Sequence, residues 1–444
     1  MPVRRGRSVS VAGRMIMTPP ENQATSTSLA SADSMVLRLP AGCAAWYAAG
    51  MNDYDAIRNY TDEEVPAVIE RLASNPDVHG ALAAVQLPRL HRLWPRLAAF
   101  LVRSRVKSEL VQIRTVADVQ KRVADLLNHL ERETMAGFTV SGMENLQPGV
   151  SHLFISNHRD IVLDSALLNW ALHRAGHATS RTAVGDNLVS TPWVGDLMRL
   201  NKSFVVSRSV MSPKAAFKSF SITSGFIRQS LLDGHSVWIA QRQGRAKDAD
   251  DRTDPAVLKM LTIAFRSEIG SLGEWLQKVS LVPVSISYEL DPCDGMKAHE
   301  LAVIAETGSY QKAKNEDLIS IGRGITGYKG RVHLNVGERL QGEFADVEAL
   351  GKALDHAVHA GMRLYPVNLD AASRCGYEVE PVPVIPARIA EVDAALLVRF
   401  NRCPDTEKDL IWQQYANIWR NARDAQTMSG GSSSAASCSR SSRM

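Results

Sequence analysis

Short apolar runs of strand length recur through the middle of the chain, and longer stretches with helical spacing of apolar residues separate most of them. The strand-like runs span 138–140, 152–155, 182–184, 203–206, 237–240, 281–288 and 331–336. The helical stretches are centred on 165–175, 213–232, 255–268 and 312–328. Strands that alternate with helices are joined by crossover connections. The pattern predicts an α/β domain over about 137–340, with a mixed, largely parallel central sheet and crossover helices.

A helical subdomain is predicted before the sheet, at about 53–136. Thr61-Asp62-Glu63-Glu64 has the form of a capping box, and apolar residues at helical spacing follow it. Farther along, 87–106 places five arginines among leucines, a tryptophan and a phenylalanine. Two interpretations remain open for this stretch. It is either a helical pair packed on the main domain, because Pro88 and Pro95 interrupt it, or a helix that rests on an anionic membrane surface.

Beyond the sheet, about 344–425 shows helical periodicity around a Pro-rich link, which predicts a helical C-terminal extension. Trp412, Tyr415 and Trp419 recur there at helical spacing and favour a packing face. The two ends differ in composition: 1–35 is rich in arginine and serine, and 428–444 is Ser-rich and of low complexity. Both ends are predicted to be disordered. The composition of the first segment also resembles that of an organelle transit peptide.

Composition limits the function further. The 444 residues are 45% hydrophobic and 22% charged, which is typical of a globular protein with a sizeable core. Every apolar run is shorter than the roughly 18–20 residues that a membrane-spanning helix requires, so any membrane contact is expected to be peripheral. Five cysteines without paired spacing indicate neither a disulfide framework nor a zinc site. The expected location is cytoplasmic, with peripheral association with the membrane.

Basic residues are concentrated between 202 and 247, although the net charge of the whole chain is only +4. That segment contains a single acidic residue, Asp233, against eight basic ones: Lys202, Arg208, Lys214, Lys218, Arg228, Arg242, Arg245 and Lys247. They are not interleaved with aromatic residues as in a nucleic-acid groove, so no nucleic-acid partner is expected. Arginines that follow strands favour phosphate groups on a small substrate.

Candidate chemistry is concentrated in residues 157–164. His158 stands close to two carboxylates, Asp160 and Asp164, between a strand-like run and a helix-like run. At such a junction side chains project into a crevice, and a carboxylate can fix the tautomer of an imidazole. The segment predicts a general base that removes a proton from a hydroxyl. The alternative is that one of the carboxylates only caps the helix.

The triplet His158-Arg159-Asp160 also matches the opening of a protein-kinase catalytic loop. That motif requires an asparagine where Ser165 stands, an Asp-Phe-Gly triplet farther along and a Gly-rich phosphate loop before it. The sequence has none of the three. The sequence therefore argues against a protein kinase.

Several blocks of the sequence follow one another in a familiar order. They are Gly142-Met143-Glu144-Asn145-Leu146, Ser156 to Asp164, Phe204 to Arg208, Gly244-Arg245 and Val282-Pro283-Val284. Together they resemble the four acyltransferase blocks of the glycerol-3-phosphate and 1-acylglycerol-3-phosphate acyltransferases, over about 137–340. The spacing of Asn187-Leu188, Pro192, Gly195 and Arg199 is similar to that of the bacterial glycerol-3-phosphate branch.

The resemblance implies a role for each matching residue. His158 would be the base that removes the proton of a glycerol hydroxyl as it attacks an acyl thioester, and Asp164 would orient His158. Substrate contacts would come from Arg159, Asn187, Lys202, Arg208, Gly244 and Arg245, with Arg208 and Arg245 holding the phosphate of the acceptor. No metal and no cofactor are expected, because the donor, acyl-CoA or acyl carrier protein, is a co-substrate.

The sequence departs from the family at two points. The family has four residues between its histidine and aspartate, whereas five separate His158 from Asp164 and one separates it from Asp160. Both carboxylates are therefore candidate catalytic residues, and Asp164 is favoured because the helix-like run after it matches the family. In the third block, Gln241 begins a segment that lacks the glutamate of the family.

The sequence as a whole predicts an O-acyltransferase of the glycerolipid type. Its partners would be an acyl thioester donor, a glycerophosphate acceptor and a membrane surface. The acceptor is either glycerol-3-phosphate or 1-acylglycerol-3-phosphate. Two alternatives remain: a non-catalytic lipid-binding relative of this fold, and an acyltransferase for a different hydroxyl acceptor.

Overall fold

The structure is a computed structural model that describes residues 54–207, 212–380 and 386–437. Its strands are β1 (Gly137–Ser141), β2 (Leu153–Ser156), β3 (Arg181–Gly185), β4 (Ser203–Val206), β5 (Val237–Ala240), β6 (Leu281–Tyr288) and β7 (Arg331–Val336). Its helices are α1 (Val65–Ala73), α2 (Pro76–Gln86), α3 (Pro88–Leu93), α4 (Pro95–Leu110), α5 (Val116–Thr134), α6 (Leu163–Arg174), α7 (Pro192–Leu200), α8 (Pro213–Leu232), α9 (Pro255–Thr262), α10 (Leu272–Val279), α11 (Asp294–Thr307), α12 (Glu316–Thr326), α13 (Val347–Ala360), α14 (Pro366–Arg374), α15 (Pro386–Phe400) and α16 (Asp405–Ser437). The predicted extension at 1–35 lies outside the described residues.

The strands form one seven-stranded sheet in the order β1-β7-β6-β2-β5-β3-β4. The five strands from β6 to β4 run parallel to one another. β7 is antiparallel to β6, with Val336 opposite Val284, and β1 pairs parallel with β7. The sheet is therefore mixed only at one edge. This confirms the predicted fold class, and β4 to β7 begin and end where the sequence pattern predicted strands.

The central strands are covered by helices on both faces. All four residues of β2 and all eight of β6 are buried. Along β2, Phe154 packs into a core that includes α5 and α6, whereas Leu153 and Ile155 pack into a second core with α8, α9, α10 and α13. Side chains alternate between the faces of a strand, so an apolar run covered on both sides is buried throughout. This arrangement leaves the strand ends as the place for polar chemistry.

The first helix before the sheet, α1, attaches to α7, which connects β3 to β4. Val65 and Leu72 of α1 pack with Leu200 at the end of α7. Arg71 forms an ion pair with Asp196 of α7 at 2.8 Å, and the hydroxyl of Tyr60 donates to the same carboxylate at 2.7 Å. The first helical unit is therefore fixed beside the β3–β4 edge of the sheet.

The C-terminal helices pack on α11 and on one another. Tyr415 and Trp419 of α16 are buried and Trp412 is partly buried, which confirms the predicted packing face. Helix α16 extends to Ser437, and this differs from the prediction of a disordered segment from 428. Adding one residue to an existing helix costs far less than starting a new one, so the packed part of α16 can carry the Ser-rich sequence in helical form. Residues 438–444 lie outside the described part of the chain.

Candidate active site

His158 lies directly after β2, at the carboxyl edge of the parallel strands, and Asp164 lies in the first turn of α6. The Nδ1 nitrogen of His158 is 2.8 Å from Oδ2 of Asp164. A carboxylate only accepts hydrogen bonds, so Nδ1 carries the proton and Nε2 carries the lone pair. Nε2 makes no hydrogen bond to any described residue. The pair has the geometry of a general base held by a carboxylate.

Asp164 is fully buried, and both of its oxygens accept hydrogen bonds. Oδ2 also accepts the backbone N–H groups of Arg159 at 2.6 Å and Asp160 at 2.9 Å. Oδ1 accepts the hydroxyl of Tyr288, at the end of β6, at 2.9 Å. Burial and the nearby charge of Asp164 raise the pKa of Tyr288 well above its usual value, so the phenol stays protonated and donates. These donors compensate the burial of the carboxylate.

Asp160 makes no hydrogen bond to the imidazole of His158. Its Oδ1 accepts the backbone N–H groups of Val162 at 2.9 Å and Leu163 at 2.8 Å, which places it at the start of α6 as a cap. Burial, reinforced by the charge of Asp164, raises the pKa of the Asp160 carboxyl. Of the two carboxylates left open by the sequence, the structure brings Asp164 to His158, and the turn that contains Asp160 accommodates the additional residue.

Two further side chains hold the segment around His158. Asn157 pairs with the backbone of Ile286 in β6: its amide donates to the carbonyl at 3.0 Å and its oxygen accepts the N–H at 2.9 Å. The ring of Trp238 in β5 meets the imidazole edge to face, with 5.9 Å between the ring centroids. The Trp238 indole also donates to Ser156 at 3.0 Å. The base is therefore positioned by the two strands that flank β2.

An apolar cavity opens on one side of His158. It lies between β3, β5, α8 and α9, and its walls include Val184, Val206, Phe220, Ile239, Val257 and Met260. A second, basic cavity also opens at His158, and it is lined by Asn187, Gly244, Arg245, Lys247, Glu300 and Lys312 among others. His158, Ile161, Leu188, Arg242 and Gln243 line both cavities. The imidazole thus stands where an apolar space meets a charged one.

The cations of the basic cavity differ in their partners. Lys247 pairs with Glu300, and Lys312 pairs with Asp317 at 2.6 Å. Arg245 donates to the hydroxyl of Ser320 at 2.8 Å but forms no ion pair with a described residue. Arg242 makes neither a hydrogen bond nor an ion pair within the described part of the chain. The two arginines therefore keep their charge available for an anionic ligand.

The structure brings together five of the predicted site residues: His158 and Asp164 at the base, and Asn187, Gly244 and Arg245 at the basic cavity. Gly244 has φ +76, in the left-handed region that favours glycine, within the loop that follows β5. Asn187 donates to Asp317 at 3.1 Å across the cavity. Arg208 lies outside the described residues, so its predicted contact with phosphate stays a prediction.

Two other predicted site residues lie elsewhere. Arg159 is buried in an ion pair with Asp251 at 2.5 Å and does not line either cavity beside His158. Lys202 precedes β4, at the amino edge of the parallel strands, and donates to the hydroxyl of Thr179 at 2.8 Å. Burial lowers the pKa of this lysine. Because Lys202 comes before its strand and His158 comes after β2, the two residues lie at opposite edges of the parallel strands.

Several residues at the candidate active site are not indicated as site residues by the sequence motifs. Arg242 and Lys247 belong to the basic segment, which was the only sequence signal for them. Lys312 and Tyr288 carry no local signal, because each reaches the site from a distant part of the chain. Gln241 stands where the family has its glutamate. It is fully buried, and neither its amide nitrogen nor its oxygen has a hydrogen-bond partner among the described residues.

Residues 137–287 match the family model described as Acyltransferase. This segment of the chain belongs to the acyltransferase family, and the predicted enzyme class is confirmed. No curated protein matches the sequence. Among solved structures, the crystal structure of the 1-acyl-sn-glycerophosphate (LPA) acyltransferase PlsC from Thermotoga maritima aligns with 64% of this chain and 95% of that chain, at 17% identity and a TM-score of 0.34.

Proposed function

We propose that this acyltransferase moves a fatty acyl group from acyl-CoA or acyl carrier protein to a hydroxyl of glycerol-3-phosphate or 1-acylglycerol-3-phosphate. The observation that carries the proposal is the position of His158 between the apolar and the basic cavity. An acyl chain requires an apolar space, and a phosphate requires cations. A base at their junction can remove the proton of an acceptor hydroxyl that lies beside the carbonyl carbon of the donor.

In this reaction Nε2 of His158 takes the proton of the acceptor hydroxyl while the oxygen attacks the thioester carbonyl. The carbon–sulfur bond then breaks, and the leaving thiolate takes the proton from the imidazolium. The products are an ester and a free thiol. Asp164 favours the imidazolium formed in the first step, because it accepts the Nδ1 proton at 2.8 Å. A positioned base of this kind contributes about 10²–10⁴-fold to the rate.

The phosphate of the acceptor would bind to Arg242 and Arg245. A guanidinium offers a planar fork of donors that matches two phosphate oxygens. The neighbouring lysines, Lys247 and Lys312, are already paired with carboxylates and would contribute mainly to the local positive potential. Arg208 is proposed as a further phosphate contact from the family resemblance alone.

We also propose that the enzyme binds an anionic membrane through α3 and α4. Five large apolar side chains are exposed there, with Trp94 and Phe100 about two-thirds exposed: Leu93, Trp94, Leu97, Phe100 and Leu101. Arginines flank them at 89, 92, 96, 103 and 105. Exposed apolar clusters on soluble surfaces mark interaction sites, and arginines beside them suit anionic lipid. Within the described residues, no helix combines the length and apolarity required to cross a bilayer.

The membrane proposal is tested by sedimentation with phosphatidylglycerol vesicles and with neutral phosphatidylcholine vesicles. Phe100→Ser is expected to reduce binding to the anionic vesicles several-fold. Leu232→Ser is the matched control, because Leu232 is equally exposed at the end of α8. Equal binding of both variants and the wild type would remove α4 from the membrane contact. The described cysteines are free thiols, which suits a cytoplasm-facing surface.

The acceptor is tested by measuring thiol release from palmitoyl-CoA and from palmitoyl acyl carrier protein. Each donor is combined with glycerol-3-phosphate, 1-acylglycerol-3-phosphate or glycerol. Release that depends on a phosphate-bearing acceptor would support the proposal and identify the acceptor. Lipid binding without release under any combination would instead favour a non-catalytic relative, for which the unpartnered amide of Gln241 is the relevant observation.

A further inference from the structure

A buried lysine holds the backbone next to His158, and the chemistry proposed above does not use it. Lys297 lies in the first turn of α11 and is 2% exposed. Its Nζ donates to the carbonyl oxygen of Arg159 at 2.8 Å and also pairs with the carboxylate of Asp291. Burial disfavours an ammonium unless such partners are present. Lys297 therefore binds one peptide group of the catalytic loop tightly.

That peptide group joins Arg159 to Asp160, and both of its polar atoms are engaged. Its carbonyl accepts from Lys297, and its N–H donates to Oδ2 of Asp164 at 2.9 Å. The same Oδ2 atom accepts Nδ1 of His158. The peptide is thus clamped between the lysine and the carboxylate that orients the base. A displacement of this peptide would move the acceptor atom of the His158 hydrogen bond.

The C-terminal helices hold the beginning of α11, from which Lys297 projects. Tyr415 of α16 donates its hydroxyl to Asp294 at 2.8 Å and accepts the N–H of Asp291 at 3.0 Å. Arg399 of α15 donates to the carbonyl of Asp291 at 2.6 Å and to the carboxylate of Asp294 at 2.7 Å. A continuous series of buried contacts therefore leads from the C-terminal extension to the loop that carries His158.

The other side of the loop is tied to the same extension. The Arg159 side chain pairs with Asp251 at 2.5 Å and donates to the carbonyl of Ala249 at 3.4 Å. Asn417 of α16 donates to the carbonyl of Asp248 at 2.9 Å. The segment that receives the Arg159 guanidinium is thus also fixed by α16.

We propose that Lys297 is a positioning residue that keeps His158 and Asp164 in register, and that the C-terminal extension supports the active site through it. This inference rests on the proposed role of His158 as the base. Lys297 does not touch substrate in this account. It acts through the peptide group between residues 159 and 160. The C-terminal helices α15 and α16, which carry no catalytic residues, would thus support the active site.

The test compares Lys297→Met with Lys329→Met in the full chain. Lys329 is a matched control, since it is also fully buried and bonds only to Thr134 and to the carbonyls of Ile325 and Gly327. With ¹⁵N-histidine labelling, the Nδ1 proton of His158 gives a low-field resonance that is assigned by its loss in His158→Gln. We expect Lys297→Met to shift or broaden that resonance and to lower kcat roughly tenfold or more, with little change in the acceptor KM. Lys329→Met is expected to change neither.

A double variant guards against unfolding. Lys297→Met leaves the partly buried carboxylate of Asp291 without its lysine partner, whereas Lys297→Met with Asp291→Asn removes both charges and preserves the shape. The folded double variant is expected to show the same displaced resonance and reduced kcat. An unchanged resonance and an unchanged kcat per folded molecule would overturn the proposal. If Lys297→Met displaces the resonance but the wild-type protein itself shows no turnover, the positioning role would be supported and the proposed function would be contradicted.

Discussion

The hydroxyl of Tyr288 donates to Oδ1 of Asp164 at 2.9 Å, whereas His158 donates to the other oxygen, Oδ2. Tyr288 ends β6 and Asp164 lies in the first turn of α6, so the contact joins two elements 124 residues apart in sequence. It leaves both oxygens of a fully buried carboxylate hydrogen-bonded. The contact therefore fixes the carboxylate in the orientation that accepts the Nδ1 proton of His158.

Replacing Tyr288 by phenylalanine is expected to lower the free energy of unfolding by about 1.5–3 kcal/mol, the usual contribution of a hydrogen bond to a charged group. Activity should fall with it, because Asp164 loses the contact that fixes its Oδ1 and hence its orientation toward His158. Denaturant titration provides the measurement. Tyr310→Phe is the control, since the Tyr310 hydroxyl bonds to Glu316 at the surface. A loss of stability no larger than that of the control would contradict the role assigned to Tyr288.

The two carboxylates of the loop should respond differently to amidation. Asp164→Asn is expected to lower kcat about 10²–10⁴-fold, because an amide neither fixes the His158 tautomer nor favours the imidazolium. Asp160→Asn should cost less than about tenfold, since an amide oxygen can still accept the N–H groups of Val162 and Leu163. Steady-state kinetics of the two variants decides this. Equal losses would mean that Asp160 takes part in catalysis.

Arg245 should contribute to acceptor binding and little to the chemical step. Arg245→Ala is expected to raise the KM for a phosphate-bearing acceptor about 10–100-fold, as for a lost charged hydrogen bond. Arg228→Ala is the control, because Arg228 pairs with Glu268 away from both cavities. The KM values are compared at saturating donor. An Arg245 variant with the KM of the control would exclude this residue from the phosphate site.

The lowered pKa of the buried Lys329 should make the free energy of unfolding depend on pH. Burial lowers its pKa to about 8, whereas the unfolded chain has the ordinary value of 10.5. Between these values the unfolded state binds the extra proton, so stability rises with pH through this range and falls as pH drops toward 8. The slope is at most about 1.4 kcal/mol per pH unit.

This contribution is isolated by comparing the wild type with Lys329→Met at pH 7.5 and pH 9.5. The unfolding free energy of the wild type should increase relative to that of the variant at the higher pH. Titrating groups that the substitution does not affect contribute equally to the unfolding free energy of both proteins, so their contributions cancel in the difference. A difference that is independent of pH would show that Lys329 keeps an ordinary pKa.

The sheet could be predicted because its strands are short apolar runs covered on both faces. Their order along the chain predicts crossovers, and hence a largely parallel sheet. Helices α7 and α10 have only nine and eight residues, too few for a clear periodic signal. Helix α11 was missed although it is longer, because its apolar residues do not gather on one face. A helix that is short, or whose apolar residues are spread around its whole circumference, is recognised only from its packing.

The base could be predicted as well, since His158 and Asp164 are close in sequence and follow a strand. Tyr288, Lys297 and Lys312 could not be predicted, because each lies more than 100 residues from His158 in the sequence. They reach the site from β6, from α11 and from the loop before α12. Arg159 shows the converse. It is adjacent to the base in sequence, yet its side chain pairs with Asp251 and points away from both cavities. Sequence proximity does not fix side-chain direction.

The most direct test of the account is hydroxyl-dependent thiol release by His158→Gln, measured beside His173→Gln. His173 lies at the exposed end of α6 and controls for the substitution itself. The account predicts that His158→Gln folds, still binds the acceptor, and loses about 10²-fold or more in kcat, whereas His173→Gln keeps wild-type activity. Wild-type kcat in the folded His158 variant would contradict the assignment of His158 as the base.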